Sequence, residues 1–101
     1  MDFGKFAFSK SLEAYIEKIN TRQITTFKNG WTNKKDKIGA FSVTKKDNNN
    51  YIIAINIDAN RYEITVDREG WTINKQNNPT HMLLRGIMND AICDMIFPPK
   101  I

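Results

Sequence analysis

Residues 38–75 read IGAFSVTKKDNNNYIIAINIDANRYEITVDREGWTINK, and their period-two pattern decides the fold. Four runs stand out, at 39–44, 51–58, 61–66 and 71–75. Closing the middle turn around Ala59-Asn60 would set Ile57 opposite Tyr62, Ile55 opposite Ile64 and Ile53 opposite Val66. Closing the next around 67–70, with Gly70 at positive φ, would set Val66 opposite Trp71 and Ile64 opposite Ile73. Closing the Asn-rich loop at 48–50 would set Val43 opposite Tyr51 and Phe41 opposite Ile53. All three hairpins then place their large apolar residues on one face. A one-residue slip in any of them would break that agreement.

The other face carries Ser42, Thr44, Ile52, Ala54, Asn56, Arg61, Glu63, Thr65, Thr72 and Asn74. It is small and polar, so it reads as solvent-facing. Ile52 is its one large apolar member.

Working outward, Phe6 and Phe8 alternate with small or polar residues, and 9–20 reads as a helix. Leu12, Tyr15, Ile16 and Ile19 form its apolar stripe. Ser9 or Ser11 would cap it, and Glu13 would sit in the first turn, where the helix dipole favours an acid. Residues 24–27 read as a short strand running into an Asn29-Gly30 turn. Beyond the strands, Asn78-Pro79 would open a last helix. Leu83, Leu84, Ile87, Met88, Ala91, Ile92, Met95 and Ile96 form its broad apolar face, and Pro98-Pro99 stops it.

The expected fold class is therefore α+β, in the order α-β-β-β-β-α. A four-stranded antiparallel meander carries an N-terminal and a C-terminal helix packed on one face. The 101 residues fit a single α+β domain, 1–101. A domain this size buries roughly 60–70% of its unfolded surface, enough for a core without metal or disulfide staples.

No apolar run approaches the roughly 20 residues of a membrane span. The start Met1-Asp2-Phe3-Gly4-Lys5 lacks the pattern of a signal peptide. One cysteine, Cys93, suits a reducing, cytoplasmic compartment. The 11 Lys, 14 Ile and 12 Asn have A/T-rich codons, as in many bacterial, phage and plasmid genomes.

The net charge of +4 is uneven. Residues 28–46 hold Lys28, Lys34, Lys35, Lys37, Lys45 and Lys46 against Asp36, which makes the window +5 and leaves −1 elsewhere. Three of these lysines precede the first strand and two leave its far end, roughly 20 Å away at about 3.3 Å per residue. With Trp31 they form the candidate binding residues. They would either contact a partner or guard an edge strand.

Catalytic signals are sparse. His81 is the only histidine, and with Cys93 also alone a zinc site is not expected. His81 reads as a neutral surface or capping residue, and Cys93, next to Asp94, as an inert thiol. Asp90 and Asp94 share a helical face and read as a solvated pair or an acidic docking patch. The loop 47–50 lacks the Gly and the final Glu of a calcium site. No Gly-rich phosphate loop, triad or nuclease pattern occurs. The GWT echo at 30–32 and 70–72 reads as convergent turn chemistry.

The leading expectation is a small non-enzymatic binding module without a cofactor or metal. It would occupy a surface of a protein partner, as an inhibitor, antitoxin, immunity factor or accessory protein of a phage or mobile element. The alternative is a nucleic-acid binder using 28–46. With Phe41, Tyr51, Tyr62 and Trp71 all on the core side, the open face offers no base-stacking aromatics. A second alternative is an enzyme site assembled from Asp58, Glu63 and their neighbours. A homodimer through a meander edge also fits the pattern.

Overall fold

The computed structural model describes residues 4–28, 30–73 and 81–97. Its elements are α1 (Lys5–Asn20), β1 (Ile38–Lys45), β2 (Asn50–Ile57), β3 (Asn60–Asp67), β4 (Thr72–Ile73) and α2 (His81–Ile96). The strands form one antiparallel sheet in the order β1-β2-β3-β4. This is the predicted meander between two helices. The expectations for Asn29, Asn74, Lys75, Asn78-Pro79, the His81 imidazole and Pro98-Pro99 lie outside the described residues.

α1 starts at Lys5, four residues before the predicted start. Extended Gly4 precedes it and no side chain caps it. Ser9 and Ser11 are therefore interior, and Glu13 falls past the first turn. The cause is Phe8, which begins the buried stripe Phe8, Leu12, Tyr15, Ile16 and Ile19. Its ring stands edge-on to Trp71 at 5.6 Å and stacks on Tyr51 at 6.4 Å. Phe6, 75% exposed, is not its partner on one face. Ser11 donates instead to the Ala91 carbonyl of α2.

α1 ends in a nested pair of bonds, Gln23 N–H to Lys18 O at 3.0 Å and Arg22 N–H to Ile19 O at 3.1 Å. Arg22 takes the left-handed conformation (φ 61°) that glycine usually supplies there.

Every predicted hairpin register is displaced by two residues. Ile53 stands opposite Ile64 rather than Val66, and Ile55 opposite Tyr62. Val43 stands opposite Ile53, and Val66 opposite Ile73. The turns explain the shifts. The β2–β3 turn is Asp58-Ala59, both at positive φ (50° and 70°) as a two-residue hairpin turn requires. Asp58 is held there by Lys37, whose N–H donates to its carboxylate and whose carbonyl accepts its N–H, each at 3.1 Å. After β3, Trp71 rather than Gly70 has the positive φ (50°), and the Asp67 carboxylate accepts the Glu69 N–H at 2.9 Å.

A two-residue shift keeps every side chain on its face. Tyr51, Ile53, Ile55, Ile57, Ile64 and Val66 are buried as predicted, under both helices. The opposite face is open and polar, with Ala54 buried at its centre.

α2 contributes Leu83, Leu84, Ile87, Met88, Ala91, Ile92 and Met95 to the same core. Each fully buried Leu, Ile or Met contributes roughly 1.5–3 kcal/mol relative to exposure. The predicted strand at 24–27 is reduced to a single bridge, Thr26 to Thr32, within a small hairpin closed by Gly30 N–H to Phe27 O at 2.9 Å. Its Phe27 ring docks on Gly86 of α2. Among the described residues, no helix is long and apolar enough to cross a membrane.

Candidate functional site

β1 is an outer strand of the sheet. Successive residues of a strand point their N–H and C=O groups alternately to its two sides. Just past its end, the Lys46 N–H donates inward to Asn50 O at 2.9 Å. Thr44 and Ser42 then also face β2, while Lys45, Val43 and Phe41 present their backbone groups to the outside. The outward groups of Ile38 are taken by Asn20 at the end of α1. Its Nδ2 donates to Ile38 O at 2.8 Å, and its Oδ1 accepts Ile38 N–H at 2.9 Å. A register irregularity between Ile38 and Phe41 separates the capped start from the open remainder.

Between α1 and this edge runs a groove of about 550 Å³, its lining including Ile16, Ile38 and Phe41 with Glu13 and Glu17 on the helix side. Phe41 is only half-buried because the groove reaches it.

The candidate lysines divide into two sets. Lys34, Lys35 and Lys37 are exposed before β1, and Lys45 and Lys46 are exposed at its far end. Buried Asn33 shapes the first group. Its side chain bonds both the N–H (3.0 Å) and the carbonyl (3.1 Å) of Asp36, closing the turn that carries Lys34 and Lys35. Lys37 and Lys45 stand about 25 Å apart along the strand, at about 3.3 Å per residue.

Lys28 belongs elsewhere. Its N–H donates to buried Asp90 at 3.1 Å and its ammonium lies 3.5 Å from Asp94. The Cys93 sulfur beside that ammonium raises its pKa above the ordinary value, against the opposing effect of burial, and the Asp94 and Asp90 charges add to the rise. Trp31 lies on the returning arm of the small hairpin and is 41% exposed.

The carboxylates depart from their expected roles. Asp90 is 3% exposed and accepts from Tyr15 and Lys28, so the solvated or docking pair with Asp94 is corrected. It is an internal anchor between α1, α2 and the small hairpin. Asp58 and Glu63 do not form a constellation. Asp58 is engaged by Lys37 and shares a hydrogen bond with Asp36, while Glu63, across from Ala54 on the open face, lies 4.0 Å from Arg61. The Asp36–Asp58 contact had no sequence signal, because 21 residues separate a loop from a hairpin turn. Their hydrogen bond raises the Asp36 pKa, while the Lys37 N–H, then Asp36, lower that of Asp58.

In the 47–50 loop, Asp47 accepts from Asn49 N–H (2.8 Å) and the Asn50 amide (3.0 Å), which turns its oxygens inward. Among the described residues, no three His, Cys, Asp or Glu side chains gather to hold a metal. No family model, curated protein or solved structure matches this chain.

Proposed function

We propose that the chain is a non-enzymatic protein-binding module of the cytoplasm that acts by covering a partner's surface, as an inhibitor, antitoxin, immunity factor or accessory subunit. One observation carries the reading: an open sheet edge lies between two clusters of exposed lysines. An edge offers backbone hydrogen bonds to another chain, and the lysines orient an acidic approach. The contact residues in this reading are Lys34, Lys35, Lys37, Lys45 and Lys46, with Trp31 beside the first group.

The test is capture of partners from nuclease-treated lysate of the native host, using the full chain and its Lys34→Glu/Lys35→Glu/Lys45→Glu/Lys46→Glu variant. A single stoichiometric protein retained by the native chain and lost by the variant is expected. Recovery that disappears with nuclease would transfer the lysines to nucleic-acid binding, whose affinity falls steeply with salt.

A further inference from the structure

We infer that the β1 edge takes an extended acidic-ended peptide segment of the partner as a fifth strand, an inference that rests on the protein-binding reading above. The edge supplies the main-chain partners. Phe41, Val43 and Lys45 turn their backbone groups outward, and among the described residues no strand lies beyond them. The capped pair at Ile38 sets where pairing begins.

Side-chain selection follows from the surroundings. Alternate residues of an added strand would project into the groove over Ile16, Ile38 and Phe41. Glu13 and Glu17 line that groove, so an acid is disfavoured at these central positions and an apolar side chain fits. At the ends the preference reverses, because Lys34, Lys35 and Lys37 flank one and Lys45 and Lys46 the other. The occupant is therefore apolar in the middle and acidic at both ends.

The same charges argue against other occupants. A second copy pairing antiparallel through β1 would set the first lysine group of each chain against the second group of the other. A nucleic-acid backbone along the edge would meet outward carbonyls and the Glu13–Glu17 wall, which repel phosphate.

The experiment selects displayed random peptides of about ten residues, enough to span the lysine groups at about 3.3 Å per residue, on the full chain. The strongest binder is then followed by residue-resolved amide exchange. Acids are expected to enrich at both ends with alternating apolar residues between. Exchange at Phe41, Val43 and Lys45 should slow by about tenfold or more on binding. The Lys45→Glu/Lys46→Glu variant should bind about tenfold more weakly. Selected peptides that protect the open sheet face or the α1–α2 surface would overturn strand addition and leave the binding-module reading standing. Failure to enrich any peptide would also overturn it, and the lysate capture would then judge the broader reading separately. Selected peptides displaced by a single-stranded oligonucleotide, with no protection at those three amides, would overturn both.

Discussion

The Tyr15 hydroxyl donates to Asp90 Oδ2 at 2.6 Å and ties α1 to α2 through a buried carboxylate. Burial first, then the hydrogen bond and the charges of Asp90 and Asp94, push the phenol well above its ordinary pKa. It therefore remains a donor across the neutral range. Among the described residues, Tyr15→Phe leaves Asp90 with the Lys28 N–H as its partner, and it should cost about 1–3 kcal/mol. Asp90→Ala also orphans the Tyr15 hydroxyl and the Lys28 N–H, and should cost more. Urea unfolding of the two variants checks the order. An unchanged midpoint for Tyr15→Phe would remove this bond from the list of stabilising contacts.

Gly86 is the position where α2 admits the small hairpin. A Cβ there would lie 2.4 Å from a Phe27 ring carbon, closer than the atoms can approach. Gly86→Ala gains up to about 1 kcal/mol in helix propensity. The clash should outweigh that gain and leave a net loss of about 1–2 kcal/mol, within the range for overpacked cores. Combining it with Phe27→Leu should lose less than the sum of the single changes, because the two sites touch. Additive losses in thermal unfolding would contradict the direct contact.

The faces of the sheet were legible and its registers were not. Alternation specifies which residues point inward, and a shift of two leaves that assignment intact, so Ile53 is buried whether it meets Val66 or Ile64. The turns decide between such registers. Here Ala59, Trp71 and Arg22 adopt left-handed conformations that their residue types do not advertise. The lysine clusters could be read directly from the chain, since loop charges are exposed by default. Asn20 on the β1 edge, Asp36 on Asp58 and Asp90 beneath Tyr15 are contacts between distant segments. No local pattern marks them.

Asp36 and Asp58 give stability a pH dependence with two limbs. Asp58 has a depressed folded pKa, so its contribution is present above the ordinary carboxylate value of 3.8 and is lost as pH falls through the folded value. Asp36 has a raised folded pKa, so its contribution is present below 3.8 and is lost as pH rises through the folded value. Asp36→Asn keeps a donor to Asp58 at every pH and removes the second loss. Its melting temperature should therefore gain on that of the native chain as pH rises through the window just above 3.8. Melting scans between about pH 3 and 7 cover both limbs. A constant difference across the series would rule out the shared hydrogen bond.

The most direct test of the open β1 edge is residue-resolved amide exchange on the isolated chain in dilute solution. Ser42 and Thr44, bonded to β2, should exchange slowly, while Phe41, Val43 and Lys45 exchange at least about tenfold faster. The alternation should not change with protein concentration. Equal protection at all five amides, or protection of the outward three that grows with concentration, would show the edge already covered and contradict its availability to a partner.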